Sequence, residues 1–254
     1  MVALPPHATA EVDTIVHGGR IVTASDVYEA AVAIRGEKIV AIGPPEVLPP
    51  AARTIDARGK YVLPGAIDCH IHLGPEYDDW RGGPIAAAHA GLTTLLGFGL
   101  YAKAAKELGW KNIFVDPEGK PIPFGSPSVE TMVPLMYSEG VGKRGLPISW
   151  MARVLAENPA RIFGLYPRKG VIQIGADADL LILDPEPETT ITVADHRGMA
   201  GFTLYEGWQA RGRPWMTLLR GRVLLNQGKL EQAPGYGRYL PRGRPVPPIG
   251  GAVR

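Results

Sequence analysis

Five consecutive residues, Asp68-Cys69-His70-Ile71-His72, close an apolar run that starts at Tyr61. In an extended strand, residues two apart share a side, so His70 and His72 present both imidazoles in one direction. Two neutral imidazoles on one face suit adjacent positions on a Zn²⁺-type ion, with nitrogens about 2.0–2.1 Å from the metal. Asp68 shares that face and could accept an imidazole N–H, whereas Cys69 points to the opposite side and packs as a small apolar residue. A catalytic zinc usually takes three protein ligands and a structural one four, so the rest of the chain has to complete the set.

The elements that must position this pair are mostly short strands. Thr14–Val16 and Arg20–Thr23 flank His17-Gly18-Gly19, which has the composition of a tight hairpin, and Ala31–Arg35 and Lys38–Ile42 flank Gly36-Glu37 in the same way. Pro44–Pro50 is a proline-rich loop, Thr54–Ala57 and Lys60–Leu63 are short strands, and Pro64-Gly65 turns the chain into the histidine strand, 66–73. Pro84 suits a first helical turn and Gly91 the residue after the helix ends. Leu92–Leu96 comes next as a buried strand, so 66–98 has the order strand, helix, strand. Residues 101–148 lose this alternation. The composition then predicts a helix over Trp150–Glu157 capped by Ser149, and a second over Ala160–Phe163 capped by Asn158. From Gly170 the pattern is β again: 171–174, 179–183, 189–193, 216–219 and 222–225 read as strands. Residues 233–254 read as an extended tail, solvated or disordered.

The two β-rich stretches bracket the middle, and neither alone has enough strands for a stable sheet. The economical arrangement is one composite β-sandwich built from both chain ends, residues 11–63 and 170–232, with Arg20–Val22 and Arg222–Leu224 as possible neighbours.

The bulk numbers narrow the classes. The 254 residues are 45% hydrophobic and 20% charged with net charge +2, so a real core is expected and nucleic acid is not. The single cysteine rules out an internal disulfide framework and suits a reducing compartment. No apolar leader core is seen in 1–12 and no stretch of 18 uncharged apolar residues occurs, so a cytoplasmic protein with no membrane partner is expected.

Several motifs together resemble one family. Residues 62–73, Val-Leu-Pro-Gly-Ala-Ile-Asp-Cys-His-Ile-His-Leu, look like the first barrel strand of the cyclic amidohydrolases, the hydantoinase, dihydropyrimidinase and allantoinase group. Ala90-Gly91-Leu92-Thr93-Thr94 is similar to that group's second strand. Residues 128–132 and 158–170 resemble its segment after the last barrel strand, and Gly175–Leu180 its return into the β-sandwich. The resemblance implies a metal-dependent (β/α)₈ barrel with a composite β-sandwich, assembled as a homo-oligomer, acting on cyclic amide or ureide small molecules. It implies a divalent metal, as a rule Zn²⁺, held in part by His70 and His72. Such an ion lowers the pKa of bound water towards about 7 and polarises the scissile carbonyl.

One departure from that pattern is large. The family's metal site adds a carboxylated lysine, two further histidines and an aspartate, all on later barrel strands. Here Leu92–Leu100 resembles the second strand, while Tyr101 onward resembles the segment after the eighth. Residues 64–169 therefore read as a truncated barrel remnant, far shorter than the ~250 residues of an eight-unit barrel. The remaining histidines do not fill the gap: His7 and His17 read as surface residues, His89 lies on a helix that such barrels keep outside, and His196 sits in a polar connection. Asp78, Asp79 and Asp116 read as solvated loop carboxylates. Asp177 and Asp179 have the spacing of a cation-binding Asp-x-Asp, but their place in the family pattern makes them turn and strand-start residues. The expectation is an α/β chain with a β-sandwich, related to hydrolases of cyclic amide C–N bonds and impaired as a catalyst. The alternative is a non-catalytic assembly module that pairs with itself or with a complete homologue.

Overall fold

The computed structural model describes residues 11–71, 82–97, 127–198, 201–231 and 235–250. Apolar alternation in the first sixty residues produces β1 (Val12–His17), β2 (Arg20–Val22), β3 (Val27–Glu29), β4 (Ala31–Arg35), β5 (Lys38–Gly43), β6 (Ala51–Asp56) and β7 (Tyr61–Pro64). β8 (Ala66–Ile71), α1 (Gly82–His89) and β9 (Leu92–Gly97) come next. After the two central helices come β10 (Leu180–Thr190), β11 (Gln209–Leu219), β12 (Arg222–Asn226) and β13 (Lys229–Leu230).

These strands form three sheets. One has the order β5-β4-β1-β6, a second β13-β12-β11-β10-β7-β2-β3, and the third is the parallel pair β8-β9. The second sheet draws its strands from both chain ends. The seam is β7 against β10, antiparallel, with Tyr61 opposite Leu183 and Pro64 opposite Leu180. Side-chain alternation then sets two cores. Ile21, Val62, Leu180, Ile182, Met216 and Leu218 pack with Val16, Val32, Ile34 and Ile55 of the four-stranded sheet. Val22, Leu63, Leu181 and Leu183, on the opposite face, pack with Ala66, Leu92, Val133, Met151 and Leu155. A strand buried on both faces reads as an unbroken apolar run, which is the reason for Leu180-Leu181-Ile182-Leu183.

Several sequence expectations change. His17-Gly18-Gly19 is a corner between sheets and not a hairpin, since β1 pairs with β4 and β6 whereas β2 pairs with β3 and β7. Gly18 has φ +76°, and a Cβ on Gly19 would lie 2.9 Å from both Ala57 and Val62 side chains, so the crossing depends on the missing side chains. β2 and β12 share a sheet but are not neighbours; β11, β10 and β7 separate them. The stretch 171–174 is a turn, with Ile174 exposed, because the chain there bends around the ion pairs of Lys169. The strand expected at 179–183 and the start of that expected at 189–193 are one strand, β10, whose Pro185 and Pro187 fall where the pairing with β11 shifts register between Asp184 and Glu188; Val193 instead opens a 3-10 turn.

The helices also differ from expectation. One runs from Met132–Leu135 into a π-helical stretch, Met136–Lys143, hidden in the sequence by Pro134, Gly140 and Gly142. The other is continuous over Ile148–Ala152, a π-helical Arg153–Glu157, and Asn158–Ile162. Ser149 does not cap it; the N-cap is Pro147, and Asn158 lies inside the helix. Pro159 has no N–H to give the preceding turn, and the π-helical stretch just before it widens the spiral where that hydrogen bond is lost.

The described part of the tail, 235–250, is held by hydrogen bonds. Gly243 N donates to Gly164 O at 2.7 Å and Val246 N to Arg161 O at 2.9 Å. Asn158 exchanges two hydrogen bonds with the backbone of Ile249. Among the described residues no helix is long and apolar enough to cross a membrane.

Candidate functional site

β8 and β9 run side by side because Gly65 and Gly91 let the backbone close up. A Cβ on Gly65 would collide with the Thr93 side chain, and Gly91, at φ +78°, has Leu181 within 2.5 Å of where its Cβ would stand. Ala66 pairs with Leu92, Ile67 with Thr94 and Asp68 with Leu95. Asp68, Cys69 and His70 sit at the C-terminal end of this pair, the end at which barrel enzymes place their chemistry.

His70 is exposed there, and its backbone N–H donates to Asp68 Oδ1 at 2.9 Å. Burial raises the Asp68 carboxyl above its ordinary range, partly countered by that hydrogen bond and by the His70 charge. Cys69 is half-buried and packs towards Ile67, Ala160 and Leu165, and burial pushes its thiol upward. Cys69 therefore contributes packing, and a raised thiol pKa disfavours the thiolate a metal would need. His72, Asp78, Asp79, Asp116 and His7 lie outside the described residues. His89 is held by α1 and the β12–β13 turn: its Nδ1 is 2.9 Å from Ile85 O and its Nε2 3.3 Å from Gly228 O. Both ring nitrogens face carbonyl oxygens, an arrangement for a structural histidine.

Asp177 and Asp179 do bind a cation, but one from the chain itself. The Lys169 ammonium, fully buried, lies 3.0 Å from Asp177 Oδ2 and 2.5 Å from Asp179 Oδ2. Lys38 reaches Asp177 Oδ1 at 2.7 Å and Arg168 reaches its Oδ2 at 2.9 Å. Asp179 Oδ1 accepts from the Arg220 backbone N–H at 2.9 Å. Burial raises both carboxyls; at Asp177 the Lys38 hydrogen bond and Lys169 charge outweigh it and lower the pKa, while at Asp179 burial wins. Arg220 and Arg238 share Glu37, and the Arg220 guanidinium lies 4.2 Å over the Tyr236 ring. The signal for this network was Arg168-Lys169 standing shortly before two aspartates in an otherwise apolar stretch.

Comparison with known proteins fits this geometry. Residues 125–214 match the model of the Amidohydrolase family. The chain is 34% identical over 137 residues to the L-hydantoinase of Paenarthrobacter aurescens, a match spanning 54% of this chain and 29% of that protein. It is 36% identical over 121 residues to the dihydropyrimidinase of Rattus norvegicus, spanning 48% of this chain and 23% of the relative. The crystal structure of dihydropyrimidinase from Brevibacillus agri superposes with a TM-score of 0.79 at 19% identity, over 92% of this chain and 100% of that one. Over these stretches the chain is similar to hydantoinases and dihydropyrimidinases, the cyclic amidohydrolases. It spans less than a third of the curated relatives it matches, and that partial coverage fits an internal deletion.

Amidohydrolases of this kind are in general metal-dependent. Among the described residues, Asp68 and His70 stand at this strand end, and no three His, Cys, Asp or Glu side chains converge on one point.

Proposed function

We propose that this amidohydrolase-family chain descends from hydrolases of cyclic amide C–N bonds and is impaired in that reaction on its own. The observation that carries the proposal is that, among the described residues, no three potential metal donors converge at the C-terminal end of the parallel β8–β9 pair. The proposed organisation is a composite β-sandwich of residues 11–63 and 170–232, a barrel remnant over 64–169 and an extended tail over 233–254. Its support is the β7–β10 seam and the apolar core shared by the two larger sheets. In this reading His70 and His72 are inherited metal positions, with Zn²⁺ as the cation they would take weakly. The protein is proposed to be cytoplasmic; it is also proposed to be homo-oligomeric, since among the described residues β8 and β9 pair only with each other and leave edges that a closed barrel would not.

The test is metal stoichiometry by native mass spectrometry, run beside hydrolysis of hydantoin and dihydrouracil in added Zn²⁺. Substoichiometric metal and no turnover above buffer are expected. Two tightly held ions per chain, with turnover abolished by His70→Ala, would overturn the proposal.

A further inference from the structure

The tail meets the rest of the protein at every third residue. Gly243 N donates to Gly164 O at 2.7 Å, Val246 N to Arg161 O at 2.9 Å and Ile249 N to Asn158 Oδ1 at 2.7 Å. Pro241, Pro245, Pro247 and Pro248 fix their own φ at about −65° and bias the residue before each towards the β or polyproline II region. No residue from 236 to 249 has a positive φ, and none belongs to a helix or strand with internal hydrogen bonds. A proline-rich segment with this three-residue period is a polyproline II helix, which has three residues per turn.

Only one of the three edges of that helix is used by the protein. Val246 and Ile249, on the edge that faces residues 158–164, are half-buried, while Arg242, Arg244, Pro245, Pro247 and Pro248 are exposed. Arg242, Pro245 and Pro248 stand three apart and share the second edge; Arg244 and Pro247 share the third. Among the described residues, Arg238 pairs with Glu37, whereas neither Arg242 nor Arg244 has an ion-pair partner.

We propose that residues 242–248 are a docking ridge for a second protein whose groove is lined by aromatic rings and flanked by carboxylates, the chemistry of an SH3 domain. Proline-rich segments in this conformation seat their rings between the aromatic side chains of such a groove, and the Arg242 guanidinium, one turn before Pro245, takes a carboxylate at its end. The unpaired Arg244 favours an acidic groove over a neutral one. The two edges that a groove reads are the two that face away from residues 158–164, so the segment docks without leaving the protein. Its backbone is already ordered, which lowers the entropy lost on binding. The proposal does not depend on the amidohydrolase reaction.

The test is titration of the full chain into an isotope-labelled SH3 domain of the class that binds Arg-x-x-Pro-x-x-Pro peptides, followed by the indole N–H signal of its groove tryptophan. Saturable one-to-one shifts confined to the groove are expected. Pro245→Ala combined with Pro248→Ala, and separately Arg242→Glu, are expected to weaken binding at least tenfold. These side chains are exposed, so circular dichroism of the variants is expected to match that of the parent chain. Asn158→Ala loosens the tail at Ile249 and is expected to leave the affinity equal or lower, because the held form is the form that binds. Tighter binding by Asn158→Ala would overturn the proposal, since the tail would then have to detach. Absence of groove shifts, or shifts insensitive to the double proline variant, would also overturn it. So would a dimer, seen by sedimentation, that the double proline variant dissociates, since a second copy would then cover the ridge.

Discussion

Lys169 shows how a single side chain can be decisive without being catalytic. Its ammonium is buried between Asp177 and Asp179, and removing it leaves two desolvated carboxylates facing each other. Breaking a buried pair by deleting one partner typically costs about 3–5 kcal/mol. Lys169→Met is therefore expected to lower the unfolding free energy by that amount in urea titrations at pH 7; a loss under about 1 kcal/mol would mean that Lys38 and Arg168 suffice. His89 makes stability depend on pH. Burial lowers its pKa in the folded state, so the unfolded chain binds the extra proton first, and stability is lost as pH falls from the ordinary histidine value through the folded one. The urea midpoint is expected to fall between pH 7 and pH 5, with a shallower fall in His89→Gln; identical slopes would show that His89 does not set the dependence. Asp177 and Asp179 were recognisable in sequence as an unusual pair, but their partner was not. Arg168-Lys169 stood nearby as the available cations, but which of them the pair holds depends on the turn that brings Lys169 back over it.

At the level of elements, glycines decide how closely β8 and β9 approach the seven-stranded sheet. Gly91 ends α1 at φ +78° and faces Leu181 of β10, whereas Gly36, at φ +58° in the β4–β5 turn, faces open space. Both lose about 1–2 kcal/mol to the left-handed backbone when replaced by alanine. Gly91→Ala adds an overpacking cost of about 1–3 kcal/mol against a fully buried leucine. Thermal unfolding of the two variants is expected to separate them by several degrees, and equal midpoints would show that Leu181 moves aside freely. Strands, α1 and the β4–β5 hairpin were legible because alternation, Pro84 and Gly36 are local signals. The 132–143 helix was not, because Pro134, Gly140 and Gly142 read as breakers, and burial of Val133 and Tyr137 against the sheet overrides them. The His17–Gly19 corner failed for a similar reason: a glycine pair between two apolar runs looks the same whether the strands stay in one sheet or part into two.

The whole molecule is held together by contacts between residues far apart in sequence. β7 and β10 pair across more than a hundred residues, and the four-stranded sheet exchanges two backbone hydrogen bonds with the same distant stretch, Ile39 N to Ala176 O at 3.1 Å and Gly175 N to Ile39 O at 2.8 Å. Arg238 in the tail closes on Glu37, and Lys38 on Asp177. Every one of these joins the first sixty or so residues to the last ninety, so chain continuity through the middle should matter little once folding is complete. A recognition sequence for a site-specific protease inserted near residue 110 tests this. After cleavage, the two fragments are expected to co-elute as one species on size exclusion, with the far-UV circular dichroism of the uncut chain, and to part only in urea. Their unfolding midpoint should become concentration-dependent, since folding is then also association. Separation of the fragments in buffer would mean that the β7–β10 seam and the shared apolar core are too weak to unite the chain ends, and that the intervening residues carry the fold.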